Sequence, residues 1–184
     1  MMKLELMNKE DFCKIVEWNK DKSADFLLQW AGPSYIYPIT IAQIEDHYFN
    51  EVQKEHSNTF IYKIIGDEDV VIGTVELREK DKVNKIGRVC RFLIGEEKAR
   101  GKGFGAKVLN EVLRIGFEEI GYEKITLGVF DFNIGAIKCY EKVGLKKGKL
   151  VENSRKASNG YWNSYDMGIT KKEWVEKLDA RRYR

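Results

Sequence analysis

Apolar residues recur along this chain at two spacings, and the changes of spacing mark the elements. Repeats at every second residue predict strands, and repeats three to four residues apart predict helices. Leu4 and Leu6 alternate with polar neighbours as in a short strand. From Asn8 or Lys9 a helix carries Phe12, Ile15, Val16 and Trp18, and a second helical piece over 24–30 stops at Gly32-Pro33. Residues 35–39 are expected to be extended, because Pro38 restricts the residue before it. Thr40, with Gln43 three places on, has the form of a capping box. The helix after it puts Ile41, Ile44, Tyr48 and Val52 on one face, and Glu45, Asp46, Glu51 and Glu55 largely on the others.

A strand-rich block follows. Residues 60–65 and 70–77 are two runs joined by Gly66-Asp67-Glu68-Asp69, a hairpin signal, and 80–85 is a polar turn before a third strand over 86–94. This antiparallel meander feeds Arg100-Gly101-Lys102-Gly103-Phe104-Gly105, the stretch around which the chain is organised. A helix leaves it with apolar positions at Phe104, Val108, Leu109, Val112, Leu113, Gly116 and Ile120. Residues 125–130 read as a strand, Asn133 as the cap of a helix carrying Ala136, Ile137 and Tyr140, and Gly144 as its end. A strand–helix–strand crossover makes strands 86–94 and 125–130 parallel. Residues 148–153 and 161–169 form a closing hairpin, and Thr170 with Glu173 begins a terminal helix through a second capping box. The expectation is a single α/β domain over 1–184. Its sheet is mixed and mostly antiparallel, with about six or seven strands and flanking helices.

Composition narrows the function classes. With 184 residues, 43% hydrophobic and 33% charged, the chain is neither disordered nor membrane-spanning in character. No apolar run approaches the ~18 residues of a membrane helix, and Glu5 and Glu10 stand where a signal core would be apolar. A net charge of +3 is too small to point to nucleic acid, and the basic tail 181–184 reads as a solvated end. Cys13, Cys90 and Cys139 are far apart and odd in number, so neither a disulfide framework nor a metal site is expected. Cys90 and Cys139 read as packing residues, and His47 and His56 lie in a polar helical region without a cysteine cluster. A cytoplasmic protein with reduced thiols is expected.

The glycine-rich turn carries the candidate chemistry. It lets backbone approach a ligand closely at a helix N-terminus, where amides and the helix dipole favour an anion, and Arg100 and Lys102 add positive charge. A P-loop needs G-x-x-x-x-G-K-[ST], which is absent. A dinucleotide loop needs G-x-G-x-x-G, and Gly101-Lys102-Gly103-Phe104-Gly105 has the wrong third spacing. The pattern that fits is Arg-x-x-Gly-x-Gly, with Arg100, Gly103 and Gly105 in the defining places. It resembles the acyl-CoA pyrophosphate loop of the GCN5-related N-acetyltransferase (GNAT) superfamily. The superfamily's second landmark is present too: Asn133 at a helix head and Tyr140 near its end, before Gly144-Leu145. The Trp30 region and Gly160-Tyr161-Trp162 with Asp166-Met167 are loosely similar to the branch of ribosomal-protein alanine and spermidine N-acetyltransferases.

The resemblance implies a splayed parallel strand pair, with acetyl-CoA as co-substrate, its pantetheine arm along Phe92, Leu93 and Ile94 and its pyrophosphate on the amides of Arg100, Gly101, Lys102, Gly103, Phe104, Gly105 and Ala106. It implies further that Asn133 holds the pantetheine amide and that Lys138 reaches a phosphate or is simply a solvated lysine. Tyr140 becomes the candidate general acid for the departing thiolate, since a thiol has a pKa of about 8.5. Some family members place a basic glutamate on the strand before the loop; strand 86–94 has no acidic residue, so Glu76 on the preceding strand is the candidate by topology, against a solvent-facing strand carboxylate or deprotonation through water. The implied reaction is acetyl transfer to a primary amine in a ternary complex, with a polyamine, an aminoglycoside, another small amine or a protein N-terminus as partner. The acceptor wall is either an acidic, aromatic pocket (Trp30, Tyr35, Tyr37, Tyr48, Phe49 and Trp162 with the acids of 45–55) or those aromatics are core and the acids a solvated face. A non-catalytic acyl-CoA sensor is the alternative to the enzyme. A monomer or homodimer without metal, membrane or nucleic-acid partner is expected.

Overall fold

The computed structural model describes residues 2–182. Seven strands are present among the described residues: β1 (Lys3–Leu6), β2 (Thr59–Ile65), β3 (Val71–Asp81), β4 (Ile86–Ile94), β5 (Lys124–Phe130), β6 (Lys146–Ala157) and β7 (Gly160–Thr170). The six α-helices among the described residues are α1 (Phe12–Asn19), α2 (Ala24–Ala31), α3 (Ile41–His47), α4 (Phe104–Arg114), α5 (Ile134–Val143) and α6 (Lys171–Arg182). The strand order is β1-β2-β3-β4-β5-β7-β6. β1 with β2, β2 with β3 and β5 with β7 are antiparallel, and β4 with β5 is parallel, as the crossover rule requires. The side chains of the basic tail 181–184 lie outside what the structure describes.

The chain clusters into two compact units, and β3 and β4 each run from one into the other. The first holds the residues up to Arg78, then Cys90–Phe104, with Ala157–Asn159 from the tip of the closing hairpin. Its core joins Met7, Phe12, Ile15, Trp18, Leu27, Ala31, Tyr35, Ile39, Ile44, Ile61 and Leu93. The alternation of β2 and the three-to-four spacing of α1 put these side chains inward together. Asp25, in the first turn of α2, accepts hydrogen bonds from the backbone N–H (3.0 Å) and the hydroxyl of Ser158 in that hairpin tip. The second unit holds Glu79–Val89, Gly105–Lys156 and the residues from Gly160 onward. Val108, Leu109, Val112 and Leu113 of α4, Ile125 and Leu127 of β5, and Met167 and Ile169 of β7 are all buried there.

Local chemistry sets most boundaries. Ser23 and Asn133 cap α2 and α5 by accepting hydrogen bonds from Phe26 N–H and Ala136 N–H. Gly144 ends α5 in the left-handed region with φ 115°. At α6 the expected capping box closes in both directions: Thr170 Oγ1 accepts from Glu173 N–H, and Thr170 N–H donates to Glu173 Oε2 at 2.9 Å. At α3 only half forms. Thr40 accepts from Gln43 N–H, but the Gln43 amide turns to the preceding loop, accepting from Ile36 N–H at 2.7 Å and donating to the Ile36 and Pro38 carbonyls. Ile41 is exposed rather than part of the apolar face, and the helix continues past His47 as a π-helical turn over Tyr48–Val52. A second π-helical turn, Ile115–Ile120, extends α4.

Candidate active site

The glycine loop begins where β4 ends. Gly95 N–H (2.8 Å) and Glu96 N–H (3.1 Å) both donate to the Ile72 carbonyl, which fixes the exit from the strand. Gly95 is required by contact: a Cβ there would lie 2.0 Å from the Trp18 ring. Trp18 Nε1–H in turn donates to Glu96 at 2.9 Å. Glu97 opens a single 3₁₀ turn, Glu97–Ala99. Its carboxylate pairs with Lys22 at 2.6 Å, and that hydrogen bond holds it below the ordinary glutamate value.

Arg100 is exposed, but its side chain folds back onto the end of β4. Its N–H closes the 3₁₀ turn on the Glu97 carbonyl, Nε donates to the Ile94 carbonyl at 2.9 Å and one Nη to the Gly95 carbonyl, while the guanidinium lies over the Phe26 ring. Its defining place in the motif coincides with a clamp on the end of β4. Gly101 and Gly103 have φ of 74° and 79°, and an added Cβ at either would meet nothing within 4 Å. The glycines are needed for the left-handed turn, and open space lies beside them. Lys102 is exposed, and α4 starts at Phe104 with Gly105 and Ala106 in its first turn. First-turn amides have no acceptor within a helix, so the strand–glycine–helix geometry is that of an anion cradle. Phe92 and Ile94 are half-buried and Leu93 is buried.

The second unit carries the other landmark. Asn133 Oδ1 is engaged as the α5 cap, accepting from Ala136 N–H at 3.2 Å. Tyr140 lies on α5, and burial pushes its hydroxyl above the ordinary tyrosine range, with Cys139 contributing in the same direction. A tyrosine hydroxyl, with an ordinary value of about 10, is protonated at neutral pH, the state an acid needs. Lys138 is exposed, Cys139 is half-buried beside Gly105, and burial raises its thiol too. Cys90 is half-buried and Cys13 exposed.

Glu76 departs from the solvent-facing alternative. It is 1% exposed, buried in the first unit beneath two donors from different elements. Arg91 of β4 grips it with Nε at 2.8 Å and a second hydrogen bond from Nη2, and His47 Nε2 is 2.8 Å from Oε2. Burial alone would raise this carboxyl, but the hydrogen bonds from His47 and Arg91 outweigh it and leave it below the ordinary value. Arg91 also donates to the Ser34 hydroxyl, and the Tyr35 ring stands edge-on to His47 with centroids 5.7 Å apart. Arg91 itself has φ 44°, a left-handed residue inside a strand. The parallel β4–β5 ladder has its last pair, Val89 with Leu127, two residues before it.

Sequence reasoning missed His47 and Arg91. Their signals were positional: His47 follows the buried Ile44 by three residues, and Arg91 interrupts a run of apolar strand positions. The aromatic residues divide. Tyr35 is core, Trp30 Nε1–H is tied to Asn19, Trp162 packs edge-on against Phe130 and Phe132 in the second unit, and Tyr37 and Phe49 are exposed. Glu45, Asp46 and Glu55 are exposed and Glu51 is half-buried, as on a solvated face. Among the described residues no cluster of three or more His, Cys, Asp or Glu is placed to hold a metal ion. No described helix is long and apolar enough to cross a membrane.

Among the described residues, a seven-stranded mixed sheet carries a parallel β4–β5 pair, and a glycine loop leads from that pair into a helix, which defines a mixed α/β fold. The pattern of the Acetyltransferase (GNAT) family matches residues 24–145, and the chain belongs to that family. Among relatives, it is 28% identical over 115 residues to the SPbeta prophage-derived uncharacterized N-acetyltransferase YokL of Bacillus subtilis. That match covers 62% of this chain and 64% of YokL, so the chain spans just under two thirds of that relative. It is 24% identical over 151 residues to the aminoglycoside N(6')-acetyltransferase type 1 of Klebsiella pneumoniae, covering 78% of this chain and 73% of that protein. The crystal structure of spermidine N-acetyltransferase from Vibrio cholerae in complex with CoA and spermine superposes with a TM-score of 0.81 at 18% identity, over 95% of this chain and 98% of that one. At that identity the superposition establishes the fold.

Proposed function

We propose that this protein, acting as a single catalytic domain in the cytoplasm, transfers an acetyl group from acetyl-CoA to a primary amine. The observation that carries the reading is the loop itself: left-handed Gly101 and Gly103, with open space beside them, deliver the chain from β4 into the first turn of α4. An activated acetyl thioester supplies the acyl group. The amides of Gly101 to Ala106 suit its pyrophosphate, and Arg100 serves by holding the carbonyls of Ile94 and Gly95 in place. Backbone along Phe92, Leu93 and Ile94 offers hydrogen bonds for the pantetheine arm, one of which can polarise the thioester carbonyl. With Oδ1 spent on the helix cap, Asn133 would hold the pantetheine amide through its Nδ2 donors. Tyr140, whose hydroxyl is protonated at neutral pH, protonates the thiolate as it leaves.

Relatives named for aminoglycosides and spermidine make small polycationic amines the first acceptors to try. The test is free-thiol release from acetyl-CoA by purified protein across polyamines, aminoglycosides, amino acids and peptides with free N-termini. Release above the acceptor-free blank with one class supports the enzyme and selects the acceptor. Binding of acetyl-CoA with no stimulation by any class would favour an acyl-CoA sensor, and no binding would remove the loop assignment.

A further inference from the structure

Resting on that reading, the geometry points to His47 as the group that takes the proton from the acceptor amine, with Glu76 and Arg91 as positioning residues. Glu76 is poorly placed to do so alone. Its side chain is 1% exposed, Oε2 already accepts from Arg91 Nε and His47 Nε2, and Oε1 accepts from the other arm of the guanidinium. A carboxylate so gripped is a weak base. Arginine does not release a proton in proteins. Of the three groups only an imidazole exchanges protons near neutral pH, and the His47 side chain is the more accessible at 12% against 1% for Glu76.

The arrangement also decides which nitrogen does the work. An ionised Glu76 can only accept, so Nε2 carries the hydrogen in the 2.8 Å contact and the lone pair of the neutral ring lies on Nδ1. When Nδ1 takes a proton, Nε2 keeps its hydrogen bond to the Glu76 carboxylate. Glu76 from β3 meets Nε2 of the ring, Tyr35 from the segment after α2 stands edge-on to it, and Arg91 from β4 shares Glu76 Oε2 with it. Burial keeps the Tyr35 hydroxyl neutral. Arg91 directly precedes Phe92, the start of the segment assigned to the pantetheine arm, so the cluster and that segment share one strand.

The step balances simply. The ammonium form of the acceptor gives one proton to Nδ1. The freed nitrogen lone pair forms a bond to the thioester carbonyl carbon, the carbon–sulfur bond breaks, and the thiolate takes its proton from Tyr140. The second proton on the amine nitrogen, surplus once the amide forms, leaves to solvent; solvent also takes the Nδ1 proton and reprotonates the Tyr140 phenolate, so one proton is released per turnover.

His47→Gln tests this, because glutamine keeps a donor toward Glu76 and cannot titrate. Acetyl-CoA binding should be unchanged. kcat/KM for the amine should fall at least tenfold at neutral pH, and the deficit should shrink as pH rises to the amine's own pKa, where no base is needed. Loss by the same factor at every pH, or activity within twofold of wild type throughout, would overturn the assignment. Nitrogen NMR of the wild-type ring gives a check that no folding defect can obscure: neutral His47 should carry its proton on Nε2, and the opposite tautomer would exclude Nδ1 as the acceptor. If wild type itself releases no thiol with any amine, the proposed function fails, whichever tautomer is found.

Discussion

The Glu76–Arg91 pair is costly to bury and costly to break. Two charges in a protein interior repay their lost hydration only when the geometry is good and the remaining lone pairs are satisfied. Here three donors satisfy the carboxylate, so removing one partner strands a buried charge. Arg91→Ala should therefore lower unfolding stability by about 3–5 kcal/mol in denaturant titration. Glu76→Gln with Arg91→Met together should cost less than that single change. The pH dependence follows from the direction of the shift. The folded carboxyl lies below its unfolded value, so the stabilisation is complete above about pH 4.3 and is lost as pH falls through the folded value. Wild type should lose stability in that acid range, and the double variant should lose less. At Tyr140 the relevant change is smaller. Tyr140→Phe keeps the ring and removes only the proton donor, so kcat should fall at least tenfold with acetyl-CoA affinity within about twofold. Activity within twofold of wild type would leave Tyr140 a packing residue.

Caps and turns act on whole elements, and two of them separate stability from ligand binding. The reciprocal box at Thr170 and Glu173 starts α6, and Glu173 also meets Lys146 at 2.6 Å. The Lys146 contact and the Thr170 bonds together draw the Glu173 carboxyl down to about 2. Thr170→Ala should cost about 1 kcal/mol without touching acetyl-CoA affinity. Gly103→Ala should cost about 1–2 kcal/mol through its left-handed backbone, and it should weaken acetyl-CoA binding as well, because the amides of the turn would no longer aim together. Equal affinity in the two variants would separate the glycine turn from the ligand. The two capping boxes also show what sequence spacing decides. Both had the right residues three apart, but Gln43 had loop carbonyls and an amide within reach and took those instead. A competing partner decided the outcome at α3, and no spacing rule contains it.

Over the whole chain, the apolar periodicity was enough to place the strands and helices, and the crossover rule set β4 and β5 parallel. The glycine loop and the Asn133–Tyr140 spacing led to the family for the same reason: a left-handed turn and a helix cap restrict residue types at fixed intervals. The buried cluster was hidden because almost all of β3 from Ile72 to Leu77 is buried on both faces. Alternation carries no information where there is no solvent face, so Glu76 gave no sign of its surroundings, and its partners come from distant parts of the sequence. The acceptor is likewise out of reach of pattern, since recognition of an amine rests on side chains with no fixed spacing. Direct transfer is most squarely tested by mass spectrometry of both partners after the protein is incubated with acetyl-CoA and the amine panel. An acceptor heavier by one acetyl group, with the protein's own mass unchanged at every time point, is the expected result. A protein that becomes acetylated first and then passes the group on, or acetyl-CoA that stays intact with every amine, would contradict it.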